Sequence, residues 1–265
     1  MQRRFFLITS ILVVVLAGAG LWYALSRPQP ATQVSSGAAS TTPSLETSSS
    51  TSEANPKQAA PAVPSSFPIN PADTLVSWDF AGVNAGNAAL RIATDADRAK
   101  LTALLGKGQY DDYDLYIGLG NDASLEGEGS GAYMSYNKAA AIRPNKGLAY
   151  ANLGNLFDEL GAYHTAADAY AKAVRVEPGQ LQYHLSRLNF LVRRFPTDSA
   201  RITVAFADAY RQFGDTAPVL TIKAQWFEGQ GRYADAITTW QMVKQLSSAD
   251  RQAAIDAQIA RDRIK

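Results

Sequence analysis

The chain has 265 residues, of which 46% are apolar and 18% charged, and its 25 basic and 24 acidic residues leave a formal charge of +1. This near neutrality argues against the broad electrostatic attraction that nucleic-acid binding requires. The absence of cysteine excludes disulfides, thiol nucleophiles and thiolate metal sites, and two histidines leave few other ligands for a metal centre. We therefore expect neither a metal nor a cofactor.

The N-terminus carries an apolar run that predicts a transmembrane anchor over residues 1–25. Residues 5–25 would span roughly 31 Å as a helix, close to the thickness of a bilayer core. Arg3 and Arg4 precede the run, and Trp22 and Tyr23 lie near its far end. Because positive charge favours the cytoplasmic side and aromatic rings favour the interface, the pattern predicts a cytoplasmic N-terminus and an extracytoplasmic bulk.

A cleaved signal peptide is the alternative to the anchor. Residues 17–19, Ala-Gly-Ala, have the small residues of a peptidase site, and cleavage there would give a secreted protein. Either interpretation places the rest of the chain outside the cytoplasm.

A linker and a lead-in segment follow the apolar run. Residues 26–66 consist largely of Ser, Thr, Ala and Pro, which predicts a disordered spacer with a reach of about 35 Å. Residues 67–112 contain one predicted helix, because Thr94 and Asp97 have the spacing of a capping box and Gly106 provides a stop signal.

An internal repeat dominates the second half of the sequence, where Pro144 and Pro178 end two units that are 34 residues apart. The unit 147–180 has large residues at positions 4, 7, 11 and 24 and small ones at 8, 20 and 27, followed by proline at 32. These residues are Tyr150, Leu153, Gly154, Phe157, Ala166, Tyr170, Ala173 and Pro178. The pattern closely resembles the tetratricopeptide repeat (TPR), in which Gly154 and Ala166 lie where two helices approach most closely.

The same pattern predicts an array over residues 113–248. The units are 113–146, 147–180, a degenerate 181–216 and 217–248, and residues 249–265 form a capping helix. In the degenerate unit, which is two residues too long, we interpret Leu191, Ala200, Val204 and Ala207 as remaining in phase. The resemblance implies an all-α fold, a TPR-type α-solenoid of about four helical hairpins with flanking helices.

No arrangement of residues predicts catalysis, so we expect no enzyme and no catalytic residues. His164 and His184 belong to no nucleophile or metal pattern, and we interpret both as structural. The glycine-rich segment 126–131 lacks the strand, lysine and hydroxyl context of a phosphate loop, which indicates a flexible turn between helices.

Position 9 of each unit carries an amide, in a place that faces the concave groove in TPR arrays. These residues are Asn121, Asn155, Asn189 and Gln225. Such a ladder is predicted to hold the backbone of an extended peptide, because one amide can both donate and accept a hydrogen bond. The alternative is that the amides are solvated or bonded between neighbouring helices.

Charged residues near this ladder are predicted to influence which side chains the groove accepts. They are Asp158, Glu159 and Arg193. The lysines of the family's carboxylate clamp are absent, with Ile117 and Ala151 at position 5, so specific capture of a C-terminal carboxylate is not expected.

The sequence as a whole predicts a membrane-anchored extracytoplasmic adaptor that binds a protein or an extended peptide in its concave groove. The alternative is a structural subunit that self-associates, or that docks onto a membrane complex through its convex face or its C-terminal helix.

Overall fold

The structure, a computed structural model, describes residues 66–84 and 86–265, and within them the chain forms ten α-helices. They are α1 (Ala88–Leu104), α2 (Asp112–Glu126), α3 (Gly129–Ile142), α4 (Gly147–Glu159), α5 (Tyr163–Val176), α6 (Leu181–Arg194), α7 (Ser199–Phe213), α8 (Ala217–Gly229), α9 (Tyr233–Gln245) and α10 (Ala249–Asp262). The all-α prediction is confirmed for these residues, whose one strand-like feature is an isolated bridge between Asp79 and Glu128.

The predicted membrane anchor and all but the last residue of the predicted linker lie outside the described residues. Among the helices that the structure does describe, none combines the length and the apolar character that crossing a bilayer requires.

The helices pair into four hairpins that stack in chain order. The hairpins are α2 with α3, α4 with α5, α6 with α7 and α8 with α9, while α1 packs on α2 and α10 packs on α9. The first helices of successive hairpins contact one another, whereas the described second helices make no such contact of comparable extent. The array therefore curves with α2, α4, α6 and α8 on its inner side.

Small residues let the helices of a hairpin approach, as the repeat pattern predicted. A Cβ atom added at Gly154 would lie 2.9 Å from the ring of Tyr170, and one at Gly120 would lie 2.4 Å from the ring of Tyr136. Ala166 is completely buried at the same crossing. The tyrosine at position 24 thus occupies the space that the glycine at position 8 leaves open.

In the third hairpin, the register of the second helix differs from the predicted one. Ala200, Val204 and Ala207 are exposed, and the buried residues of α7 lie two positions later, at Ile202, Phe206 and Ala209. The turn before α7 spans residues 195–198, whereas the turns after α4 and α8 each have three residues, and α6 is one residue longer than α4. The two extra residues of this unit therefore lie between the start of α6 and the start of α7, and they shift the phase of the second helix.

Helix α1 also begins earlier than the capping-box pattern predicted. Asn87 is its N-cap and accepts a hydrogen bond from the amide of Leu90 at 3.1 Å. Thr94 lies inside the helix, where its hydroxyl donates to the carbonyl of Leu90 and accepts from Nδ2 of buried Asn84 at 3.0 Å. The capping-box interpretation of Thr94 and Asp97 was wrong because a tertiary hydrogen bond holds Thr94.

The lead-in residues 66–84, which we name the strap, form no helix and contact α3, α4 and α5. The ring of Phe67 lies 6.2 Å from that of Tyr150, and its backbone amide donates to Oδ1 of Asn137. Further along, Asp73 accepts hydrogen bonds from the amides of His164 and Thr165 at the first turn of α5. The strap thus supplies the carboxylate cap that α5 lacks in its own sequence, where Ala162 is the N-cap.

The strap docks on the glycine-rich turn through backbone hydrogen bonds. The amide of Gly129 donates to the carbonyl of Trp78 at 2.9 Å, and the amide of Phe80 donates to the carbonyl of Gly127 at 3.1 Å. A Cβ atom at Gly129 would lie 2.2 Å from the Trp78 oxygen. The expected flexible turn is therefore a docking point where only glycine lets two backbones meet.

We predict that the free energy of unfolding depends on pH through Asp122, which lies near Asp97 and Arg98 of α1. Burial, the charge of Asp97 and the charge of Glu126 raise its pKa to about 7, against the opposing effect of Arg98. Between about pH 4 and 7 the folded state keeps the proton that the unfolded state loses, so this group lowers stability as the pH rises and adds no further loss above about 7.

We expect Asp122→Asn to remove this effect. The free energy of unfolding of the variant, minus that of the parent, is expected to increase between about pH 4 and 7 and then to stay constant. Urea unfolding at several pH values measures the difference, and Asp95→Asn, on an exposed part of α1, is the matched control. A difference that does not change with pH would contradict the assignment.

Candidate binding groove

The position 9 amides lie on the first helices of the four hairpins. Asn121 lies on α2, Asn155 on α4, Asn189 on α6 and Gln225 on α8. The last three are exposed and Asn121 is partly exposed. The four amides therefore lie on the helices of the inner side, and their role in binding a peptide stays a prediction.

The first two amides are held by tyrosines of their own hairpins. The hydroxyl of Tyr136 donates to Oδ1 of Asn121 at 3.0 Å, and the hydroxyl of Tyr170 donates to Oδ1 of Asn155 at 2.5 Å. Nδ2 of Asn152 also donates to Asn121 at 3.1 Å. Part of the alternative interpretation therefore applies here, because both carbonyl oxygens already accept hydrogen bonds from residues of neighbouring helices.

The last two amides line an open cleft of about 280 Å³ between α6, α8 and α10. Within the part of the chain that the structure describes, the side chains of Asn189 and Gln225 make no hydrogen bond. We name this the C-terminal cleft, and its lining consists of Leu185, Asn189, Ala217, Pro218, Thr221, Ile222, Gln225 and Arg251. Both the carbonyl oxygen and the amino group of these two amides are thus without partners, whereas the carbonyl oxygens of Asn121 and Asn155 are engaged.

The charged residues near the ladder pair with each other. Asp158 is buried and accepts hydrogen bonds from Arg193 and from Nε of Arg194, the latter at 2.6 Å. Glu159 is exposed on the next position. The ion pairs join α4 to α6, so Asp158 and Arg193 have a structural role in this state, and their predicted influence on ligand choice stays a prediction.

The two histidines lie in structural positions. Nε2 of buried His184 donates to the carbonyl of Pro178 at 3.0 Å, and burial, the largest effect, lowers the pKa of His184. The ring of His164 lies 5.3 Å from that of Phe195. Among the described residues, no group of three or more His, Cys, Asp or Glu side chains is arranged to hold a metal ion.

Sequence reasoning missed Arg251, the cation of the C-terminal cleft. Arg251 lies in the first turns of α10, outside the repeats, so its register within a unit could not indicate where it lies. Leu185 and Thr221, at position 5 of their units, could have been assigned to the cleft, because position 5 lies one helical turn from position 9 on the same face.

Comparison with protein-family models finds no match, and comparison with curated proteins finds none either. Among solved structures, the chain is similar to a thermophilic TPR protein of Thermus thermophilus, with 16% identity and a TM-score of 0.47 over 67% of this chain and 97% of that one. It is also similar to a chain of the APC/C hetero-tetramer Cut9-Hcn1, with 16% identity and a TM-score of 0.46 over 66% of this chain. The match spans 34% of that second chain.

Proposed function

We propose that this chain is a nonenzymatic adaptor, anchored in a membrane by its N-terminus, that binds a protein or an extended peptide in the groove on the inner side of its helical array. The observation that carries the proposal is the C-terminal cleft, where two amides in the same repeat register stand without partners among the described residues. Amides that pack no core and satisfy no neighbour are suited to bind the backbone of a passing peptide.

The position of the strap favours the inner face of the array, rather than the outer face, as the binding surface. It covers parts of α3 and α5 through Phe67 and Asp73, so the second helices of the first two hairpins are partly occupied by the chain itself. A partner that docked on the outer face would meet residues 66–84 there. On the inner helices α6 and α8, by contrast, the C-terminal cleft is open.

Membrane anchoring rests on the sequence of residues 1–25 and on the spacer that follows. A linker over residues 26–66 with a reach of about 35 Å would hold the array away from the bilayer surface, so its groove could meet a partner.

We expect the apolar run to be retained in the mature protein. Its length matches a bilayer core, which favours an anchor over a cleaved signal peptide. Mass spectrometry of the mature protein from its host is expected to recover peptides that contain Trp22 and Tyr23. A mature N-terminus at Gly20 would contradict anchoring and indicate a secreted protein instead.

Proximity labelling tests the binding function directly, with a peroxidase fused to the C-terminus of the full-length chain in its host. The partner that it identifies is then titrated against the chain and against the double variant Asn155→Ala and Asn189→Ala. We expect each lost neutral hydrogen bond to cost about 0.5 to 1.5 kcal/mol of affinity. Thermal melting of the variant is measured in parallel, because Asn155 also accepts from Tyr170.

The matched control for the double variant is Met134→Ala with Val204→Ala, two exposed residues of α3 and α7. The control is expected to bind the partner like the parent. Equal binding by the parent and the asparagine double variant would contradict a role for the amides, and weaker binding by the control alone would place the partner on the outer face.

A further inference from the structure

The amide ladder divides into two halves with different chemistry. In the first half, tyrosine hydroxyls donate to Asn121 and Asn155, whose carbonyl oxygens are therefore engaged. In the second half this tyrosine is absent, since α7 has the buried Phe206 at the corresponding position, two residues later than the repeat predicts, and α9 has Trp240, whose Nε1 donates to Glu228. Asn189 and Gln225 are left free to bind a ligand.

The C-terminal cleft also combines apolar surface with one positive charge. Leu185, Pro218 and Ile222 contribute aliphatic surface, and Arg251 contributes a guanidinium group. Within the described residues Arg251 forms no ion pair, although most other arginines near the groove do. No acidic side chain lines the cleft, so its charge is not neutralised from within.

We propose that the C-terminal cleft binds an extended segment of the partner through an acidic side chain that lies next to an aliphatic one. The inference rests on the proposed function and adds to it the chemistry of the bound segment. Arg251 would bind the carboxylate, for which a guanidinium group offers two parallel donors. Leu185 and Ile222 would contact the aliphatic side chain.

The spacing of the two amides fits the backbone of such a segment. Packed helices lie about 8 to 10 Å apart, and an extended chain rises about 3.3 Å per residue. Asn189 on α6 and Gln225 on α8 would therefore bind peptide groups about three residues apart. Side chains of an extended segment alternate between its two faces, so those that point into the cleft meet Arg251 and the apolar surface.

A random dodecapeptide library displayed on phage tests this chemistry against the full-length chain in detergent. We expect the selected peptides to be enriched in Asp or Glu beside Leu, Ile or Val. One consensus peptide, synthesised with a blocked C-terminus, is then titrated against Arg251→Gln, Arg251→Lys and the control Arg175→Gln, an exposed arginine of α5. We expect about tenfold weaker binding to Arg251→Gln, an intermediate loss for Arg251→Lys and no change for the control.

Replacing the acidic residue of the peptide by its amide is expected to weaken binding to the parent about tenfold and to leave binding to Arg251→Gln unchanged. Selected peptides without acidic enrichment, or equal affinity for the parent and Arg251→Gln, would overturn the inference while leaving groove binding intact. A consensus that binds only with a free C-terminus would also overturn it. Selection of no peptide at all would overturn the inference and the proposed function together.

Experiments on the same protein and its variants distinguish two other occupants of the cleft from a partner. If Glu46→Gln in the linker strengthens binding of the consensus peptide, the Leu45–Glu46 segment of this chain competes for the cleft, and the partner is not its occupant. If light scattering shows a dimer that Arg251→Gln dissociates, a second copy occupies the cleft. Either result overturns the proposal, and a monomer that Glu46→Gln does not change supports it.

Discussion

Replacement of Asp73 by alanine is expected to lower the free energy of unfolding by about 1 to 3 kcal/mol. The carboxylate accepts three hydrogen bonds, from the amides of His164 and Thr165 and from the hydroxyl of Thr165 at 2.7 Å. Thr165 is completely buried, so its hydroxyl would lose a partner that water cannot readily replace. Urea unfolding of the parent and the variant measures the change.

Asp79→Ala is the matched control, because Asp79 lies in the same strap but its exposed side chain caps no helix. We expect the control to unfold like the parent. A double-mutant cycle of Asp73→Ala with Thr165→Val separates the hydrogen bond from the Thr165 hydroxyl from the two hydrogen bonds that Asp73 accepts from backbone amides of α5. If Asp73→Ala and Asp79→Ala have the same stability, the strap is not held to α5 in solution.

Replacement of Gly154 by leucine is expected to destabilise the second hairpin by about 1 to 3 kcal/mol. Even a Cβ atom there would lie 2.9 Å from the ring of Tyr170, and the hydroxyl of that ring is fixed by Asn155. The ring cannot move away without losing the hydrogen bond. Thermal and urea unfolding measure the loss.

Gly229→Leu is the control for this prediction. Gly229 ends α8, and nothing lies within 4 Å of a Cβ atom added there. We expect this variant to remain within about 0.5 kcal/mol of the parent, as surface substitutions usually do. Equal stability of Gly154→Leu and Gly229→Leu would contradict the packing of α4 on α5.

The hairpins could be predicted because each regular unit repeats the same small and large residues. The third unit shows the limit of this reasoning, since a length excess of two residues does not reveal where the insertion lies. Only the burial of Ile202 and Phe206 shows that it falls before α7 rather than within α7. The strap could not be predicted either, because a segment without helix that docks through backbone groups and a few side chains has no periodic pattern.

For the candidate groove, the sequence could predict which helices carry the amides but not which neighbours those amides contact. Register predicts that the amides lie on the first helices of the hairpins, yet it does not show that Tyr136 and Tyr170 donate to two of them. A signal was available, because a buried tyrosine hydroxyl needs an acceptor and Asn121 and Asn155 were candidates. Arg251 gave no such signal, since α10 lies outside the repeats and tertiary packing alone brings it to the cleft.

Site-specific photocrosslinking to the bound partner tests the central claim most directly. A photoreactive phenylalanine analogue is placed at Gln225 in the C-terminal cleft, or at the exposed Val204 of α7 on the outer side, in the full-length chain. Binding in the groove predicts that the partner crosslinks from Gln225 and not from Val204. Crosslinking from Val204 alone would contradict the groove as the binding surface.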